Sequence, residues 1–146
     1  MRDKVIFLIV GAVISVLFWF FSAVLYEAIY YVNGFSQFMY NDGAYGIVAL
    51  ITIAMTWGMA AIYYYLINSV KFDRWYHWLA MLGITCLLTP AVCFFVIDAR
   101  MEGLDYGSYS FTFVLHNIFV AAVMFVIASF SMRWWSSNCR HTPIPQ

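Results

Sequence analysis

Apolar residues dominate four long runs of the chain, 5–32, 44–67, 75–97 and 111–132, and polar residues gather between them. Each run reaches the roughly 20 residues that a helix needs to cross the hydrocarbon core of a bilayer. The pattern predicts an all-α integral membrane protein, with four transmembrane helices in an up-down bundle with short loops. The connections of about eleven, seven and thirteen residues leave no room for a soluble domain. Residues 1–146 are therefore expected to form one four-helix domain, closed by a short tail at 133–146.

Composition agrees with that pattern. The chain is 65% hydrophobic and 10% charged with a mean hydropathy of +0.83, against roughly 45–50% apolar and about 25% charged for soluble domains. Seven cations balance seven acids, so no net field favours nucleic acid or another highly charged partner. Of those fourteen formal charges, Glu27 alone falls within an apolar run.

The positions of the cations predict orientation, because short cytoplasmic loops retain Lys and Arg. Arg2, Lys4, Lys71, Arg74, Arg133 and Arg140 fall on one side and Arg100 alone on the other. Both termini are thus expected in the cytoplasm, with the protein in the plasma membrane, the inner membrane in a Gram-negative cell. The first run is about twice the 7–15 residues of a signal-peptide core and reads as a retained span.

Aromatic residues fit both interfaces, where a ring can lie in apolar surroundings with its polar tip wet. Tyr63, Tyr64, Tyr65, Trp75, Tyr76, Trp78, Trp134 and Trp135 read as an inner belt, and Tyr26, Tyr30, Tyr31, Tyr45, Tyr106 and Tyr109 as an outer one. Asn33-Gly34 and Asn41-Asp42-Gly43 are turn signals around an apolar Phe35, Phe38 and Met39. Those three residues fit either the membrane interface or a partner surface. Asp42, Asp73 and Ser110 stand where helix N-caps are expected.

Inside lipid, helices associate through small residues and interhelical hydrogen bonds. Gly11, Ser15 and Ser22 on the first span, Ala54 and Gly58 on the second, and Asn117, Ala121, Ala128 and Ser131 on the fourth are the candidate packing stripes. Pro90 is expected to kink the third span by removing the hydrogen bond to the Cys86 carbonyl, which Thr89 or a neighbouring helix could satisfy. Cys86 and Cys93 lie about 10 Å apart along one helix, too far for a disulfide. Cys139-Arg140-His141 lacks the further ligands of a zinc site.

An ionisable group within a span is a functional candidate by default. Counting from Val5, Glu27 lies at the outer headgroup boundary, and His116 about 7–8 Å below the outer end of the fourth span. Asp98 and Arg100 emerge on that side and Asn117 adjoins His116. Glu27, Asp98, Arg100, His116 and Asn117 are therefore the candidate outer-leaflet polar cluster or partner contact, with Glu27 paired to Arg100 or to a partner's cation.

No nucleophile–base pair, paired carboxylates, metal-ligand spacing or nucleotide fingerprint occurs, so neither catalysis, a metal nor a cofactor is expected. The leading expectation is a non-enzymatic multi-pass subunit that scaffolds or anchors a larger membrane-embedded complex, such as one spanning a bacterial envelope. Its partners are then membrane lipid and other membrane-protein subunits, with no nucleic acid. The alternatives are a homo-oligomeric channel or small transporter, and a membrane immunity or regulatory protein acting by helix–helix contact.

Overall fold

The computed structural model describes residues 2–139. It is all-helical, with no strand among those residues. The helices are α1 (Arg2–Phe20), α2 (Ser22–Ile29), α3 (Phe35–Asn41), α4 (Ala44–Ala61), α5 (Trp75–Arg100) and α6 (Gly107–Met132). Four helical segments among the described residues are long and apolar enough to cross a membrane: Arg2–Phe20, Ala44–Ile67, Trp75–Arg100 and Gly107–Trp135. Arg140 and His141, counted above for orientation and zinc binding, lie outside the described residues.

The first apolar run is interrupted where the pattern predicts a single helix. Phe21 leaves helical geometry (φ −98°, ψ 15°), yet its neighbours carry the ladder across it, Phe21 N to Leu17 O and Leu25 N to Phe21 O, both 3.0 Å. The second run continues beyond Ala61 as a π-helical turn, Ile62–Ile67. That wider turn ends at Asn68, whose left-handed backbone (φ 30°) is unusual for a residue other than glycine. A polar clamp holds it there. Asn68 Oδ1 accepts from the Ser137 backbone N–H at 2.8 Å, and Asn138 Nδ2 donates to the Tyr63 carbonyl at 2.7 Å.

Long helices that follow one another run in opposite directions. The start of α1 meets the segment after α6, with Lys4 Nζ donating to the Trp134 carbonyl at 3.3 Å and Phe7 stacked on the Trp134 ring at 5.1 Å. We call that end terminal and the opposite end distal. α6 packs against α1, α4 and α5.

At the distal end the 33–43 connection is not a loose loop. Gly34 (φ 84°) and Gly43 (φ 69°) take left-handed turns at either end of α3, a conformation that glycine adopts without steric cost. Phe35 and Met39 are thereby turned into the bundle and have no exposed surface. Phe35 sits among Tyr30, Tyr106, Tyr109 and Phe113. Those apolar loop residues therefore close the chain's own core, and only Phe38 keeps partial exposure.

The expected caps are not formed. The residues preceding α4, α5 and α6 are Gly43, Arg74 and Tyr106, and none supplies a side-chain cap. Ser110 lies within α6, where its hydroxyl reaches Met101 Sδ at 3.5 Å. α6 starts four residues before the apolar run because Gly107–Ser110 continue its hydrogen-bond ladder into polar sequence. α5 runs unbroken through a buried Pro90. The Thr89 hydroxyl beside it is buried without a hydrogen-bond partner, so it does not serve the Cys86 carbonyl.

Candidate functional site

Asn117 is where the interior polar groups converge. It lies near the middle of α6 with no exposed surface. Its Oδ1 accepts from the Tyr26 hydroxyl of α2 at 2.7 Å. Its Nδ2 donates to Thr52 Oγ1 of α4 at 3.3 Å and approaches Cys93 Sγ of α5 at 3.5 Å. Thr52 sends its own proton to the Val48 carbonyl at 2.8 Å. One amide thus ties α2, α4 and α5 to α6. Each interhelical bond of this kind contributes about 0.6 kcal/mol in a membrane protein, up to about 1.7, and an abandoned partner costs more.

The other four candidates do not join it. Arg100 pairs with Asp42, at 2.6 Å and with both side chains about one-third exposed, and not with Glu27. This is the one ion pair among the described residues. It ties the end of α5 to the turn before α4, and at that exposure contributes about 0–1 kcal/mol. Asp98 is exposed and Glu27 is half-buried outside any ion pair. The physical reason for the dispersal is helical phase: His116 and Asn117 differ by about 100° around α6, so one faces outward when the other faces the core.

His116 is exposed. Its Nδ1 lies 2.8 Å from the Thr112 carbonyl, an atom that only accepts, so Nδ1 carries the proton. The ring stacks on Tyr30, the residue that ends α2, with centroids 5.2 Å apart.

The packing stripes divide by helix. Gly11, Ser15 and Ser22 are buried, as are Ala121 and Ala128 on α6. At Gly11 the approach is so close that a Cβ would lie 1.9 Å from Ser131 Oγ. Ser15 Oγ accepts from Trp57 Nε1 at 2.9 Å, joining α1 to α4. Ala54 and Gly58 face outward, with nothing within 4 Å of a Cβ at Gly58. They take no part in packing within the chain, because α4 turns Thr52, Thr56 and Ala60 inward instead.

The aromatic belts are partly core. Tyr26, Tyr45, Tyr63 and Tyr64 are essentially unexposed, and Trp78 donates to Ser129 Oγ at 3.0 Å. Tyr31, Tyr65, Trp75, Tyr76, Tyr109 and Trp135 keep the exposure expected of interfacial anchors. Tyr26 was readable in principle as an interior group: it continues the Ser15 and Ser22 face at spacings of seven and four. Asp42 and Thr52 carried no comparable signal, since their roles depend on the meeting of distant segments.

Concave surface lies on the perimeter. A groove of about 730 Å³ runs between α1–α2 and α6, lined only by apolar side chains, among them Ile14, Phe18, Leu25, Ile29, Phe119 and Val123. A second of about 330 Å³ lies between α5 and α6 near Pro90, Phe94 and Leu115. Among the described residues no three His, Cys, Asp or Glu side chains group to hold a metal ion. No family model matches the chain, and neither does any curated protein or solved structure.

Proposed function

We propose that the chain is a non-enzymatic multi-pass membrane subunit that anchors or scaffolds a larger membrane-embedded complex. It resides in the plasma membrane with both termini on the cytoplasmic side, the orientation favoured by the distribution of its Lys and Arg residues. The observation that carries the reading is the placement of α1. This helix is held to the bundle by a narrow strip, Gly11, Ser15 and Phe18. Its opposite face presents Ile9, Val13 and Phe20, each more than half exposed. Meanwhile the buried amide at Asn117 has its bonds within the chain. Small residues on one side and a broad apolar face on the other suit a helix placed between its own bundle and a neighbouring protein.

A photo-crosslinking residue at Val13 in the native membrane tests this reading. The expected product is one adduct of discrete mass with another membrane protein, lost when the probe is moved to the core-facing Ser15. Lipid adducts alone, from a chain that purifies as a monomer, would overturn the proposal. Ion flux from the pure chain in liposomes would transfer the assignment to a homo-oligomeric channel.

A further inference from the structure

The exposed side chains of Ile9, Val13, Val16 and Phe20 follow one another at spacings of four, three and four, which places them on one stripe of α1. Phe20 ends that stripe and also lines a pocket of about 270 Å³ between the α1–α2 junction and the start of α4. A partner helix lying along the stripe is therefore carried to the mouth of the pocket.

The walls of this pocket suit a cation. Trp19, Phe20, Tyr40 and Tyr45 supply aromatic rings, and Gly43 and Gly46 keep the α4 side free of side chains. Ring faces attract cationic heads, arginine more often than lysine. Ala23 also lines the pocket, and Glu27 follows it by four residues in α2, on the same face and about 6 Å nearer the distal end. Tyr45, buried in the wall, lies within electrostatic reach of the Glu27 carboxylate, so the acid adjoins the pocket. The Tyr45 hydroxyl makes no hydrogen bond, and Ser36, the hydroxyl beside it, accepts from the Val32 N–H at 2.9 Å.

Glu27 is half-buried and forms no ion pair among the described residues, and an acid in an apolar run is costly without a counter-charge. The chain does not supply that charge itself. Arg100 is the one Lys or Arg of the distal segments and is paired with Asp42, so a second copy in the same orientation brings no free cation either.

We propose that the partner lying along Ile9, Val13, Val16 and Phe20 is a different membrane protein that inserts one arginine into this pocket, its stem between the rings and its guanidinium at Glu27. A planar, weakly hydrated guanidinium stacks on a ring and bonds a carboxylate at the same time, while the stem covers apolar wall. The proposal rests on the subunit reading above and specifies the chemistry of the partner that it requires.

A photo-crosslinking residue at Tyr40, on the exposed lip of the pocket, tests it in the native membrane beside the probe at Val13. Both probes are expected to label the same protein, with an arginine within one helical turn of the partner residue labelled from Tyr40. Glu27→Gln, which has no ion pair within the chain to lose, should lower the yield of the Val13 adduct about tenfold, the change that a close charge pair supplies. Replacing the partner's arginine with Gln should lower it as far, and the two substitutions together no further. Gly46→Leu, which puts a side chain into the pocket and leaves the carboxylate in place, should lower it too. An unchanged Val13 adduct in Glu27→Gln or Gly46→Leu, a labelled segment without arginine, additive losses in the double substitution, or lipid alone labelled from Tyr40 would each overturn the proposal and leave the subunit reading standing. Absence of a protein adduct at Val13 in the otherwise wild-type chain would overturn both.

Discussion

The first and last long helices are nearly equal in apolar character, yet only 17% of the apolar window of α1 is buried within the molecule, against 44% for α6. The difference lies in what interrupts the apolar sequence. On α6, Ser110, Asn117, Ala121, Ala128, Ser129 and Ser131 all face inward, giving close approach and hydrogen-bonding groups to three neighbours. α1 has Gly11 and Ser15, enough for one narrow contact strip. Apolar content suits a helix to lipid, whereas its few small and polar residues decide whether it becomes central or peripheral.

Three substitutions bear on that contrast. Asn117→Leu keeps the branching of the side chain but leaves the Tyr26 hydroxyl without its acceptor and removes the donor to Thr52. It should cost about 2–3 kcal/mol, read as a lower midpoint of unfolding in mixed micelles by circular dichroism. A loss below about 0.5 kcal/mol would mean that apolar packing alone centres α6.

Gly11→Ala probes the peripheral helix. Its new Cβ would lie 1.9 Å from Ser131 Oγ and 2.9 Å from Ser131 Cβ, so α1 must move away from α6. The expected loss is about 1–2 kcal/mol, and adding Ser131→Gly should restore most of it. Failure of that rescue would show that the strip is not the hinge of the contrast.

Gly58→Ala should have the smallest effect and the opposite sign. No atom lies within 4 Å of the added methyl group, and replacing a mid-helix glycine gains about 0.5–1 kcal/mol. If the same change instead weakens association with a crosslinked partner, the outward face of α4 belongs to an interface, and α1 is not the only helix shared with a neighbour.

The candidate polar cluster shows where legibility in the sequence ended. Glu27, His116 and Asn117 stand out from their composition alone, as polar groups in or at the edge of apolar runs. Their separation into a core amide, an exposed imidazole and an unpaired carboxylate follows from helical phase, which sequence spacing supplies only once the inward face is known. Asn117 shares a face with Ala121 and Ala128 at spacings of four and seven, so its burial was legible. Its partners were not, since Tyr26, Thr52 and Cys93 come from three other helices. Arg100 could be matched to any nearby acid by charge, and the geometry of the Asp42 turn selected one.

By itself the sequence determined that four apolar helical segments form, where they begin and end to within a few residues apart from the break at Phe21, and how the charges divide between the two ends. These properties follow from local runs of residue types and from the cost of placing a polar backbone or charge in hydrocarbon. Tertiary structure alone decided that α3 folds back as a plug, that Tyr45 is a core residue, and that α1 is peripheral. Each of these depends on which surfaces meet, a relation between distant residues that no local pattern contains.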